Sequence, residues 1–106
     1  MAFFLVTMTH PDSDGWGRHV VAHVEYLLGL IKRDKIRASG PLSGLNKRAG
    51  FIIMTVDSGE EAQRLVAADP FAIEGLIDDL TIVEWDPMFG AFSTESSRGS
   101  KAPASA

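Results

Sequence analysis

Apolar and polar positions along the chain predict four strands and two main helices. Four short runs rich in aromatic and β-branched side chains, each followed within a few residues by Pro, Gly or Asp, are typical of strands. They span residues 2–8, 36–42, 51–56 and 80–85. Between residues 16 and 33, apolar side chains recur at helical spacing and charged ones fall on the opposite side, which predicts an amphipathic helix. Asp14 is expected to cap it.

A second helix is predicted between Asp57 and Asp69. Ser58 and Glu61 have the spacing of a capping box at its start. The helix must end near Asp69, because the residue before a proline is pushed out of the helical region. Pro70 itself suits the first position of a further short helical turn.

The order of these elements, β-α-β-β-α-β, is that of a ferredoxin-like arrangement. We therefore expect an α+β fold in which two helices cover one face of a four-stranded antiparallel sheet. A chain of 106 residues suffices for one domain, which we assign to residues 1–92. From residue 93 onward Ser, Gly, Ala, Lys and Pro dominate, so residues 93–106 are predicted to form a disordered tail.

The strands are apolar on both faces, although two helices can cover only one. Consecutive residues at 3–6 are all apolar, and residues 51–54 repeat the pattern. A bare apolar face would exceed the patches usual for monomers, so we predict that a second copy of the chain covers it in a homodimer. The alternative is that residues 87–92 fold across that face.

Composition and charge exclude several classes of protein. The chain has no cysteine, which excludes disulfides, thiolate nucleophiles and cysteine zinc sites and fits a reducing cytoplasm. Fourteen acidic side chains against ten basic ones give a net charge of −4, which argues against a nucleic-acid partner. No run approaches the ~20 apolar residues of a membrane helix. We therefore expect a cytoplasmic protein without a membrane partner.

Three histidines are the first candidates for chemistry: His10, His19 and His23. His23 lies on the flank of the apolar stripe of the first helix, where an imidazole can transfer protons near neutral pH. A histidine that bonds a backbone carbonyl between helix and sheet is the alternative, and spacing alone favours it. His19 and His23 are four residues apart and could share a metal, but the sequence marks no third ligand, so none is predicted.

Two further segments have both a structural and a functional interpretation. Asp69 is expected to cap the turn that begins at Pro70, or to be a carboxylate that orients a histidine. The Ser-Gly-Pro run at residues 39–41 is either a simple turn or a place where the backbone approaches a ligand closely. The glycines lack phosphate-loop spacing, so no nucleotide cofactor is predicted.

Short motifs, taken in order, resemble the YCII-related (YciI-like) family. They are His-Val-Glu-Tyr-Leu at residues 23–27, Ser-Gly-Pro within 36–42, Glu-Glu-Ala at 60–62, Ala-Ala-Asp-Pro-Phe at 67–71, and Trp85. Each motif is short, but together they run through nearly the whole of the predicted domain.

The resemblance implies a dimeric α+β barrel of ferredoxin-like subunits. It also implies an active site on a histidine and an aspartate, here His23 and Asp69, which reverses the preference for a structural His23. The residues expected to line the pocket for a small-molecule substrate are Ser39, Gly40, Pro41, Phe71 and Trp16, together with Phe3 and residues 88–89.

One branch of the family resembles dehydrochlorinases that act on chlorinated hydroxyquinols. A His/Asp pair supports isomerisation, elimination or tautomerisation by moving a proton. We therefore expect a lyase or isomerase, with neither metal nor cofactor, that acts on a small cyclic or aromatic metabolite. A non-catalytic small-molecule-binding dimeric domain is the alternative, and a domain that serves assembly alone is the third.

Overall fold

Four antiparallel strands form one sheet in the computed structural model, which describes residues 1–98. The strands are β1 (Ala2–Thr9), β2 (Ile36–Leu42), β3 (Ala49–Val56) and β4 (Asp78–Trp85). Their order across the sheet is β2-β3-β1-β4, so β1 is central and β2 lies at an edge. The predicted α+β, ferredoxin-like subunit is confirmed.

The long helix α1 (Ser13–Lys32) begins three residues before the predicted start, because its cap is Asp12 and not Asp14. Asp12 has extended backbone, and its carboxylate accepts a hydrogen bond from the Gly15 N–H at 3.0 Å. Asp14 lies inside the first turn. Its negative charge there lies near the positive end of the helix dipole, but Asp14 is not the capping residue.

The remaining helices are α2 (Gly59–Ala67) and α3 (Pro70–Ile73). Ser58 caps α2 as predicted, accepting from the Glu61 N–H at 3.1 Å. The carboxylate of Glu61 turns back to the N–H of Asp57 at 2.8 Å, one residue before the position of an ideal capping box. The start of α2 is therefore set by short-range capping.

The helices pack on the sheet face that carries the even-numbered side chains of β1 and β3. Side chains alternate between the faces of a strand, so these residues share one side. The buried cluster on that side consists of Phe4, Val6, Met8, Leu30, Ile36, Ile52, Met54, Val56, Ala62 and Val66. Within residues 1–98, no helix has the length and apolar character needed to span a membrane.

Residues after β4 fold back over one end of the opposite sheet face. Phe92 packs on Phe3 with ring centroids 5.6 Å apart, and the Arg37 guanidinium lies 5.0 Å from the Phe92 ring centroid. A single 3₁₀ turn follows at Ser93–Glu95, and Glu95 pairs with Arg37. The predicted tail begins inside this described segment, and its residues 99–106 lie outside the part that the structure describes.

Asp86 stabilises this returning segment, which spans residues 86–98. Its carboxylate accepts hydrogen bonds from the hydroxyl of Ser96, from the hydroxyl and backbone N–H of Ser97, and from the Arg98 guanidinium. Hydrogen bonds to the charged form, those from Ser96 and Ser97 foremost, lower the pKa of Asp86 to about 2.

We expect Gly15→Ala to destabilise the fold and Gly17→Ala to stabilise it. A Cβ on Gly15 would lie 2.4 Å from Leu76 Cδ2 and 2.6 Å from Asp12 Oδ2, so it disturbs both the packing and the cap. We expect a loss of about 1–3 kcal/mol in the free energy of unfolding, measured in urea. A Cβ on Gly17 meets nothing within 4 Å, so alanine there adds about 0.5–1 kcal/mol. An equal gain from both variants would contradict the close approach at Gly15.

The stability that Asp86 provides should disappear in acid. Its folded pKa of about 2 lies below the ordinary 3.8, so its contribution is fully present above 3.8 and is lost as the pH falls toward 2. The difference in unfolding free energy between wild type and Asp86→Asn should therefore be constant near neutral pH. It should shrink toward zero as the pH falls from 3.8 to about 2. Ser97→Ala removes a donor and should raise the pKa of Asp86, measured by NMR titration. An unchanged titration would show that Ser97 does not hold the carboxylate.

Candidate functional site

His23 and Asp69 form a hydrogen-bonded pair between α1 and the start of α3. His23 Nδ1 lies 2.8 Å from Asp69 Oδ2 and 2.9 Å from Asp69 Oδ1. An ionised carboxylate only accepts, so Nδ1 carries the proton and donates it. The neutral imidazole then has its lone pair on Nε2. The pairing therefore selects one tautomer of His23.

Asp69 is positioned by the proline that follows it. The residue before a proline favours extended backbone, and Asp69 has φ −63° and ψ 134°. Its Oδ1 accepts the Phe71 N–H at 2.9 Å, which caps α3. The two interpretations of Asp69 from the sequence thus coincide, because one carboxylate caps the turn and bonds the imidazole. Burial raises the pKa of the nearby Tyr26 phenol, and the negative charge of Asp69 raises it further.

Phe71 holds the plane of the His23 ring. The two rings are stacked, with centroids 4.0 Å apart and an interplanar angle of 12°. Phe71 is fully buried and also contacts His10, at 4.9 Å between centroids, and Trp16, at 6.5 Å. A buried aromatic ring on one face and a carboxylate at one nitrogen together define the orientation of His23.

A cavity of about 530 Å³ opens beside this pair, between α1 and the edge of the sheet. It falls in the range of about 300–1,000 Å³ typical of small-molecule sites. Most of its wall is apolar. The lining residues are Met8, His10, Trp16, Val20, His23, Val24, Leu27, Leu28, Ile31, Ser39, Gly40, Pro41, Arg48, Ala49, Gly50, Phe51, Ile52 and Phe71.

The residues predicted for the site meet at this cavity with few exceptions. Trp16, His23, Phe71 and the run at residues 39–41 line it, while Asp69 lies behind the His23 ring. The remaining predicted wall residues do not belong to it. Phe3 lies on the opposite sheet face, edge-on to Trp85 at 5.9 Å, because odd-numbered side chains of β1 point away from the helices. Residues 88–89 follow β4 and do not line the cavity.

Two polar residues, His10 and Arg48, were not predicted to line the cavity, although His10 is one of the three candidate histidines. His10 continues the even-numbered series of β1 just beyond its end, and this alternation would have placed it on the helix side. Arg48 comes from the loop between β2 and β3, where no pattern marks it. Its guanidinium carbon lies 3.8 Å from the Trp16 ring centroid. Within residues 1–98 no carboxylate pairs with Arg48.

His19 has a different partner from His23. Its Nε2 is 3.7 Å from a carboxylate oxygen of Glu74. Within the described part of the chain, no three His, Cys, Asp or Glu side chains lie close enough together to hold a metal ion. The pair of histidines one helical turn apart therefore has no third ligand there.

Comparison with known proteins relates the chain to one family. The model of the YCII-related domain matches residues 1–86. A similar solved structure is 5-chloro-2-hydroxyhydroquinone dehydrochlorinase (TftG) from Burkholderia phenoliruptrix AC1100, in complex with 2,5-dihydroxybenzoquinone. It is 26% identical, with a TM-score of 0.68, over 78% of this chain and 92% of that chain. The curated proteins yield no match. Because the family model covers most of the chain, as the motifs predicted, the protein belongs to the YCII-related family.

Proposed function

We propose that the protein is a dehydrochlorinase-like lyase that uses His23 and Asp69 to remove HCl from a small chlorinated hydroxyquinol. The observation that carries this proposal is the geometry of His23. Its Nδ1 is held by a buried carboxylate, and the ring lines a cavity large enough for one aromatic ring. The similarity to TftG, a dehydrochlorinase whose solved complex contains a dihydroxybenzoquinone, supports the substrate class.

The proposed reaction needs only proton transfers and a leaving group. One phenolic proton moves from oxygen to the ring carbon that bears chlorine, which converts that part of the ring to a keto form. A second phenolic proton then leaves while the carbon–chlorine bond breaks, its electron pair departing with chloride. The product is a hydroxyquinone plus HCl. The ring supplies its own electrons, so the balance requires no external oxidant or reductant, and we propose a reaction without cofactor.

His23 is the proposed catalytic base and acid, and Asp69 is its positioning residue. The Nε2 lone pair takes a phenolic proton and returns it to carbon. The negative carboxylate at Nδ1 stabilises the imidazolium that exists between the two transfers. Backbone N–H groups near Ser39 and Gly40, on the edge strand, would stabilise the oxyanion that forms on the substrate.

Arg48 favours an anionic ligand at the cavity. It is exposed, and its guanidinium lies on the Trp16 ring without a carboxylate partner within residues 1–98. A cation beside a largely apolar wall attracts a phenolate more strongly than a neutral phenol. This is the ionic form that a hydroxyquinol adopts as it reacts.

We propose in addition that a second copy of the chain covers the open sheet face. Leu5 is paired with Ile53 on one side and with Val83 on the other, so an aliphatic row crosses that face. Val83 is 57% exposed. The returning segment covers the neighbouring end, where Phe92 packs on Phe3. A partner sheet would remove the rest from water.

Replacing His23 should strongly reduce turnover without unfolding the chain. For His23→Ala we expect loss of chloride release from 5-chloro-2-hydroxyhydroquinone by about 10²–10⁴-fold. Asp69→Asn should give a comparable loss, because its amide still caps α3 but can present an N–H to Nδ1 and select the wrong tautomer. His19→Ala is the matched control, since His19 lies on the same helix outside the cavity wall, and it should retain full activity.

Each outcome of that experiment has a definite meaning. Full turnover by a folded His23→Ala variant removes His23 from the mechanism. An unfolded His23→Ala variant supports a structural histidine. Wild-type protein that binds 2,5-dihydroxybenzoquinone but releases no chloride from the chlorinated substrate supports the alternative of a binding module.

Val83→Lys should convert the proposed dimer to a monomer. A lysine in the aliphatic row would have to lose its hydration at the interface. Light scattering after size-exclusion chromatography should give twice the chain mass for wild type and the single chain mass for the variant. Val21→Lys is the control, because Val21 is even more exposed, at 68%, but lies on α1. A monomeric wild type would contradict the proposal.

A further inference from the structure

We propose that His10 is a second proton-transfer residue of the cavity and accepts the phenolic proton that leaves with chloride. This assignment rests on the proposed function, and it adds to it a group that no motif of the sequence marks. The reaction moves two protons from two different oxygens. One imidazole facing each of them allows both transfers without the substrate turning in the cavity.

The fold holds His10 in one tautomer. His10 follows the last residue of β1 and is 5% exposed. Its Nδ1 lies 2.9 Å from the backbone carbonyl oxygen of Leu76. Because a carbonyl can only accept, Nδ1 carries the proton and donates it. The neutral ring therefore has its lone pair on Nε2, as His23 does.

The contacts of His10 indicate that its Nε2 faces the cavity. Every buried side-chain nitrogen or oxygen within residues 1–98 has a hydrogen-bond partner, and Nε2 has none there. It therefore cannot be one of the enclosed atoms, and His10 belongs to the cavity wall. Gly50, another residue of the cavity wall, lies beside this nitrogen. A Cβ at that position would stand 4.0 Å from Nε2, and glycine has none.

The two imidazoles share one aromatic support. Phe71 stacks on His23 at 4.0 Å and contacts His10 at 4.9 Å, and the centroids of the two imidazole rings are 6.4 Å apart. Both rings are thus fixed at the same end of the cavity, each with its Nδ1 turned away into the protein. Their partners differ in charge, since Asp69 is a carboxylate and the Leu76 carbonyl is a neutral dipole.

The proposed division of work follows from this arrangement. His23, backed by Asp69, takes the first phenolic proton and delivers it to the carbon that bears chlorine. His10 Nε2 takes the second phenolic proton as the carbon–chlorine bond breaks and chloride leaves, and it then releases that proton to water. The sum is the loss of one HCl.

The test uses His10→Asn in the full chain. The asparagine amide can still donate to the Leu76 carbonyl, so we expect the thermal midpoint to stay close to that of wild type. Chloride release from 5-chloro-2-hydroxyhydroquinone should fall by about 10²-fold or more, mainly in kcat. His19→Asn, the same substitution outside the cavity wall, should leave kcat unchanged. A folded His10→Asn variant with full kcat overturns the proposal.

A second measurement separates His10 from His23. The chlorine-free analogue 1,2,4-trihydroxybenzene can undergo the first transfer but has no chloride to lose. In D₂O, wild type and His10→Asn should exchange its ring hydrogens at similar rates, whereas His23→Ala should not. Equal loss of exchange in both variants would show that His10 only supports the site and would overturn its separate role.

A binding measurement distinguishes a failure of the proposed role of His10 from a failure of the proposed function. The ¹⁵N resonance of His10 Nε2 should shift when 2,5-dihydroxybenzoquinone is added to wild type. If wild type releases no chloride, the proposed function fails, and with it the proton transfer by His10. A shift of Nε2 would then support His10 as a ligand contact, and no shift would overturn that as well.

Discussion

The hydrogen bond between the buried carboxylate of Asp69 and the ring N–H of His23 joins the two helical segments at the wall of the cavity. Asp69 is 2% exposed, and a carboxylate so deeply buried is costly unless its oxygens accept hydrogen bonds. Two donors meet that requirement, the His23 ring and the Phe71 backbone N–H. The same bonds cap α3 and orient the imidazole, so the local stability of the turn and the geometry of the site depend on the same atoms.

The cavity exists because α1 leaves the edge strand β2 uncovered. Of the residues in β2, only Ile36 is buried. Further along the strand, Ser39, Gly40 and Pro41 line the opening with small or rigid groups. A proline is tolerated here because an edge strand has one row of groups outside the ladder. An apolar cleft with a few convergent polar groups is the common form of a small-molecule site, and the sheet edge provides it.

Most of the fold could be predicted, since strands and helices follow from periodicity within short stretches of chain. The errors arose where a decision depends on distant residues. Asp12 caps α1 in place of Asp14, at a helix start that packs against the distant Leu76. Phe3 was expected in the cavity wall, yet it packs with Trp85 on the other sheet face. Both strand faces are apolar, so composition could not tell which face meets the helices.

The sequence by itself determined the order of the elements, the family motifs, and an extended Asp69 before Pro70, because each of these depends on near neighbours in the chain. Only the tertiary structure decided what the histidines face. The partner of His23 lies 46 residues away, and the partner of His10 lies 66 residues away at Leu76. Contacts at such separations form only when the strands pair and the helices dock on the sheet, so no local pattern could have specified them.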